Sequence, residues 1–385
     1  MKKTLQEHLD PFNGPKRILA LDGGGIRGAL TLGYLERLEQ ILKARHPHIK
    51  DFRLCHYFDL IGGTSTGSII SAALSIGMSV NEIKEKYFSL GRKIFGKKND
   101  WWNIFEIKDM VKANYDAEPL EKELKKIFKD FTLGDGQNIT TGLCIVAKRA
   151  DTNSVWPLIN HPKGKFFDSK DGKNKNILLR DAVRASAAAP TYFLPITIDV
   201  GQNIKAAFVD GGVSMANNPA LQLLMVATLD GFPFHWKKGA DNLLVVSIGT
   251  GMSIMQKLPE DINKNNQLSW AKQIPDMFMQ DASWMNQIML QWMSQSPTAK
   301  EIDMEIGDLS SDSLAPAPLL SYLRYNVTLA PKELKQLTGK DYTPKKIESL
   351  CDMSNADNCE ELYSIGETAG KQEILESHLP NKFNL

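Results

Sequence analysis

Apolar runs that end at glycine alternate with helical periodicity through the first two-thirds of the chain. Ile18-Leu19-Ala20-Leu21 leads into Asp22-Gly23-Gly24-Gly25, after which Tyr34, Leu35, Leu38, Ile41 and Leu42 repeat at the spacing of one helix face. The pattern recurs at once. Phe58 to Ile61 reads as a strand, Gly62 to Gly67 as a turn, and Ile69 to Ile76, with small Ser71, Ala72 and Ala73, as a tightly packed helix. Ser79 followed by Glu82 predicts a capping box for a helix carrying Ile83, Tyr87 and Phe88, and Leu120, Leu124, Ile127 and Phe128 mark another amphipathic helix. Further strands are predicted at Leu143–Ala147, Ala206–Val209 and Leu243–Ser247. Strand, glycine turn and helix in repetition define an α/β class with a mostly parallel central sheet.

Beyond Ser253 the texture changes to Met- and Trp-rich helix, a proline-broken loop at 315–318, an alternating Leu323/Tyr325/Val327/Leu329 strand and a mostly helical tail. The expected division is therefore 1–252 as a catalytic unit and 253–385 as a mainly helical extension packed on it, a candidate lid or regulatory region. Phe278, Met285, Ile288, Met289, Trp292 and Met293 recur at helical spacing, with Trp284 nearby, which is expected of core more than of a lipid-facing lid.

Composition narrows the function. Lys plus Arg 46 against Asp plus Glu 45 leaves a net charge of +1, so no global field steers the chain toward nucleic acid. The first residues carry lysines but no apolar stretch of a secretory leader, and no apolar run reaches the length of a membrane span. Cys55, Cys144, Cys351 and Cys359 lack CxxC spacing, which indicates neither a disulfide framework nor a zinc site. A cytoplasmic protein without metal or cofactor is expected, with leaderless secretion left open.

Three glycine-rich turns carry the chemistry. Gly63-Thr64-Ser65-Thr66-Gly67 is a G-x-S-x-G between an apolar strand and a small-residue helix, the context in which a sharp turn presents a serine Oγ as nucleophile. Asp22-Gly23-Gly24-Gly25-Ile26-Arg27-Gly28 offers unshielded amides at Gly23, Gly24 and Gly25, with the Arg27 cation beside them, the makings of an oxyanion hole. Gly23, Gly25 and Gly28 also satisfy a dinucleotide fingerprint, but 46–52 lacks the second acid-ended strand that such a site wants. Val209-Asp210-Gly211-Gly212 ends a strand with a carboxylate able to act as base.

In this order and at these separations the three motifs resemble the patatin-like phospholipases. Arg184-Ala185-Ser186-Ala187-Ala188-Ala189-Pro190, Asn217-Asn218-Pro219 and Ser247-Ile248-Gly249-Thr250-Gly251 look like landmarks of the same family, and the resemblance spans about 16–255. It implies a three-layer fold and a Ser65–Asp210 dyad without a catalytic histidine. It also implies an oxyanion hole at 23–25 and calcium-independent cleavage of acyl esters of membrane glycerolipids through an acyl-enzyme. Some bacterial relatives of this family are switched on by a nucleotide second messenger, so such an activator is a candidate partner here, together with peripheral contact to the membrane that holds the substrate.

Two other readings stand beside this one. His235 or His378 follows Asp210 as a Ser-Asp-His triad would require, and a lipid- or nucleotide-binding module without turnover would keep the same turns. Arg92, Lys93, Lys97 and Lys98 lead into Trp101 and Trp102, a pairing suited either to an anionic bilayer surface or to packing within the domain.

Overall fold

The computed structural model describes residues 2–95, 116–190, 192–201, 203–253 and 259–385. Among the described residues nine strands form one sheet: β1 Lys16–Leu21, β2 Leu60–Thr64, β3 Gly142–Arg149, β4 Ser154–Ile159, β5 Ile196–Asp199, β6 Lys205–Asp210, β7 Leu243–Ile248, β8 Ser294–Gln295 and β9 Leu320–Tyr325. The order is β5-β6-β3-β2-β1-β7-β9-β8, with β4 also paired to β3. Pairing is parallel from β3 through β8, and antiparallel where β4, β5 and β6 gather.

Both faces of the sheet are covered, which is why its central strands read as unbroken apolar runs. Leu19, Leu21 and Ile61 face one apolar cluster, built with the helices Gly28–Arg45, Thr66–Ser75, Val80–Phe95 and Cys359–Glu373. Ile18, Ala20 and Leu60 face another, built with the helix Ala220–Thr228 and the end of the long helix Gln267–Trp292. The result is a three-layer α/β architecture.

The capping box forms as predicted: Ser79 N donates to Glu82 Oε2 at 2.8 Å and Glu82 N to Ser79 Oγ at 3.2 Å. β2 starts at Leu60, two residues later than the sequence predicts, because Phe58 and Asp59 close a preceding short helix and Asp59 turns inward to ion pairs.

The boundary expected near 252 runs through the sheet. β9 lies parallel against β7, and β8 against β9, so the segment after 253 contributes two strands as well as helices. It also crosses the Gly28–Arg45 helix at Gly33 and Gly366, where a Cβ on either glycine would overlap backbone of the other helix.

The Met- and Trp-rich helix divides along its length. Ala282, Asn286 and Leu290 are buried, whereas Trp270, Ile274, Met277, Phe278 and Met285 lie exposed on one stripe, Phe278 at 69% and Met285 at 48%. Of the stripe expected as core, Met293 is buried and Ile288 and Met289 partly so, whereas Phe278, Met285 and Trp292 are exposed, so the core expectation holds only in part. Arg92 and Lys93 are each engaged in an ion pair, with Glu360 and Glu123 at 2.9 Å. Lys97, Lys98, Trp101 and Trp102 lie outside the described residues.

Candidate active site

The edge of β3 explains how two distant turns meet. β4 occupies one edge of β3 from Cys144 to Arg149, leaving the other to β2 as far as Val146 and then to β6 from Ala147 onward. Thr64 is registered with Val146, and Asp210 with Ala147. β2 and β6 thus run toward each other along one edge and stop end to end, which sets Ser65 beside Asp210.

Ser65 sits at φ 53°, ψ −123°, a conformation that costs a non-glycine residue on the order of 1–3 kcal/mol. The surroundings hold it there. Its N–H donates to Ser186 Oγ at 2.9 Å, and that hydroxyl donates to Val146 O at 2.6 Å. A Cβ on Gly67 would overlap the Leu21 carbonyl oxygen, so the residue two beyond the serine must be glycine for the helix to pack against the end of β1.

Asp210 is buried, and among the described residues no cation lies beside it. Its Oδ1 accepts from Gly212 N at 2.6 Å, its own N–H donates to Ala188 O at 2.9 Å, and the Ser65 hydroxyl lies near enough to draw its pKa down. Burial pushes its pKa up to about 6, against the opposing pull of the Ser65 and Gly212 hydrogen bonds. Gly211 packs where a Cβ would meet Val146 O, and a Cβ on Gly212 would meet Asn217 Oδ1 at 2.9 Å.

The third turn lies against the other two. A Cβ on Gly23 would come within 3.2 Å of Ser65 Cβ. The Gly23 amide, however, donates to Asn217 O at 3.0 Å, and its carbonyl accepts from Thr250 Oγ1 at 2.8 Å. Among the described residues the amides of Gly24 and Gly25 bond no acceptor, which leaves them as the unpaired backbone donors of this turn. Arg27 lines a cavity of about 210 Å³ together with Asp22, Asn217, Thr250, Trp284 and Met353. Gly28 packs against Thr66 and the Tyr87 hydroxyl, so the glycines that mimic a dinucleotide fingerprint are required by protein contacts at this turn.

Neither histidine of the triad reading bonds the pair. His235 stands half-exposed, 3.9 Å from Asp230, and His378 Nδ1 lies 3.0 Å from the Tyr325 hydroxyl. Sequence reasoning did not foresee Asn286, whose Nδ2 donates to Met215 O at 2.7 Å and Asn218 O at 3.1 Å, fastening the long helix to the loop after Asp210. A lone polar residue in a helix at that sequence distance carries no readable signal. Ser186 and Ala188 were visible only as members of a block that looks like a family landmark.

A family model described as patatin-like phospholipase matches residues 19–224, and the chain belongs to that family. It is 34% identical over 207 residues to a cGAMP-activated phospholipase of Escherichia coli (strain TW11681), an alignment covering 53% of each chain. It is 32% identical over 218 residues to a cGAMP-activated phospholipase of Vibrio cholerae, covering 53% of this chain and 55% of that one. Patatin-like protein 2 of Arabidopsis thaliana is 33% identical over 282 residues, covering 66% of this chain and 63% of that one. The chain spans about half the length of the two bacterial relatives.

Proposed function

We propose that this protein is a lipid acyl hydrolase of phospholipase A type, working through a Ser65–Asp210 dyad. The observation that carries the reading is the end-to-end meeting of β2 and β6 on β3, which sets Ser65 beside a buried carboxylate with no cation next to it among the described residues. With a pKa of about 6, Asp210 is ionised at neutral pH yet basic enough to accept the serine proton as Oγ attacks an ester carbonyl. The carbonyl electron pair moves onto oxygen, where the Gly24 and Gly25 amides meet the charge. Collapse expels the lipid alcohol, which takes the proton back from Asp210 and leaves an acyl-Ser65. Water then repeats the sequence, Asp210 accepting its proton, and a fatty acid departs. Base and oxyanion donors are both protein groups, so the reaction proceeds without calcium, and turnover in EDTA should equal turnover without it.

The exposed stripe Trp270, Ile274, Met277 and Phe278 supports peripheral contact of a cytoplasmic protein with the bilayer. Its helix is tied through Asn286 to the Met215 carbonyl, and Val213 and Met215 are themselves exposed apolar residues beside the Asp210 turn. Among the described residues no helix is long and apolar enough to cross a membrane.

The deciding experiment incubates purified protein with mixed phospholipid vesicles and identifies released fatty acids by mass spectrometry. Release that vanishes in Ser65→Ala supports the reading, and release that persists in that variant defeats it. A second reading adds control by a cyclic nucleotide and is motivated by the activation that two relatives' names carry. The same vesicle assay with and without cGAMP tests it, an unchanged rate counting against it.

A further inference from the structure

We propose that Arg324 is a positioning residue for the glycine turn, holding the Gly24 and Gly25 amides in place from a strand far outside the 19–224 match; the inference rests on the acyl-hydrolase reading above. Asp22 is the one residue between the end of β1 and Gly23, so whatever fixes Asp22 fixes the origin of the turn. Its N–H donates to Ile248 O at 3.1 Å, and its carboxylate is held at both oxygens: Arg324 Nη1 donates to Oδ1 at 2.9 Å and Nη2 to Oδ2 at 2.6 Å.

The sheet register makes that grip possible. Ala20, Ser247 and Arg324 stand in one row across β1, β7 and β9. The guanidinium reaches over β7, donating to Ser247 Oγ at 2.7 Å on the way, and meets Asp22 two residues beyond Ala20. Both side chains are almost wholly buried, 3% and 6% exposed, where a forked, two-bond pair fixes direction as well as distance.

A second contact comes from the same strand end. Asn326 Oδ1 accepts from Gly251 N at 2.8 Å, steadying the turn whose Thr250 hydroxyl donates to the Gly23 carbonyl. Beyond the turn, Ile26 N donates to Met353 O at 2.8 Å. The turn is thus pinned at Asp22, at both backbone groups of Gly23 and at Ile26, and the two amides between those anchors are the unbonded ones. Lysine at 324 would keep the charge but lose the fork, leaving Asp22 free to rotate.

The test compares wild type, Arg324→Lys, Asn326→Ala and Ser65→Ala by turnover of a soluble short-chain ester, thermal unfolding, and amide hydrogen exchange. Arg324→Lys should lower kcat by about 10–100-fold, a fraction of what losing an oxyanion donor costs, with KM within about twofold. Exchange should quicken in the 22–28 segment alone. Asn326→Ala should show the same pattern more weakly, roughly 3–10-fold in kcat, and carries the comparison should Arg324→Lys not fold. The proposal is overturned if kcat stays at the wild-type value in these variants, or if their kcat loss is matched by faster exchange throughout the molecule. Wild type without Ser65-dependent turnover defeats the acyl-hydrolase reading, and the exchange pattern then decides the Arg324 role by itself.

Discussion

A buried aspartate stands at each end of β2, one just before it in sequence and one brought there by the end of β6, and the two are opposites. Asp59, just before the strand, is surrounded by donors, two of them cations: Arg17 Nε at 2.9 Å and Lys3 Nζ at 3.0 Å, with His8 Nδ1 at 2.9 Å. Burial alone would raise its pKa, but Arg17, His8 and Lys3 together hold the carboxyl well below the usual range. Asp210, just past the other end, has a hydroxyl and an amide instead, and is pushed up to about 6. One carboxylate is fixed as an anion and joins the amino-terminal segment to the sheet. The other has its pKa raised toward neutrality, as the proposed role of taking and returning a proton requires. Burial is common to the two, and the neighbouring charge decides the role.

Removing the chemical end should give the largest effect. Ser65→Ala and Asp210→Ala should each lower ester turnover by about 10⁴–10⁶-fold, and the double variant should be little worse than either, because the pair acts as a unit. Multiplying losses would show that the two groups act independently. Histidine variants supply the converse check: His235→Ala and His378→Ala should stay within a few-fold of wild type.

Asp59→Asn should invert that outcome. It strands Arg17 in the interior, and breaking a buried pair in this way costs about 3–5 kcal/mol of stability, while the folded fraction keeps its turnover. Asp210→Asn should lose activity yet unfold no more easily above pH 6, even gaining up to ~1–3 kcal/mol, since an ionised carboxylate with a raised pKa is a burden on the fold. Denaturant titration of both variants, with activity normalised to folded protein, reads the contrast; a similar loss of stability in the two would erase it.

The acid side separates the two ends again. kcat/KM should fall roughly tenfold per pH unit below about 6, as Asp210 takes up its proton. Stability moves differently. A raised folded-state pKa means that the Asp210 contribution is fully present below the unfolded value near ~4 and is lost as pH rises through about 6. The Asp59 contribution is present above ~4 and is lost only as pH falls toward its depressed folded value. Activity at pH 5 should therefore be low in a protein that is still fully folded by circular dichroism.

Gly24→Ala should cost about 10²-fold in kcat. The added Cβ would overlap Thr250 Oγ1, the hydroxyl that holds the Gly23 carbonyl, so the turn shifts along with the amide. The smallest effect concerns the bilayer. Phe278→Asp should slow vesicle hydrolysis by about 3–10-fold through weaker apolar contact and leave a soluble ester untouched; equal losses on both substrates would assign Phe278 to the fold.

The parts of this protein that could be read from the chain are those in which local pattern and final role coincide. β1, β2, β6 and β7 are apolar runs stopped by glycine turns, and Ser65 and Asp210 sit on two of those turns. β4, only partly buried and interrupted by Pro157, and the four-residue β5 left no such trace. β9 was expected from alternation over 323–329, yet it spans 320–325 with every residue buried, and the later positions only bridge Thr328 to Met252. Alternation marks a strand with one wet face, which a strand covered on both sides does not have. Ser186, Asn286 and Arg324 escaped for another reason. Each acts on a residue at least 60 positions away through a single buried hydrogen-bonding group, and such a partnership has no period or spacing to detect.

The first strand of the chain is also the middle of its sheet, and this has a consequence in time. β1 finds β2 some forty residues later, but its other edge waits for β7, registered 227 residues further on. At about 5–20 residues per second, that edge stays unpaired for roughly 10–45 s on every nascent chain. All six residues of the strand are destined for burial, so the growing polypeptide carries an open, apolar template until β7 is made. Holding that edge apart from other chains is work for chaperones, and fragments ending before residue 243 should aggregate where the full chain stays dispersed.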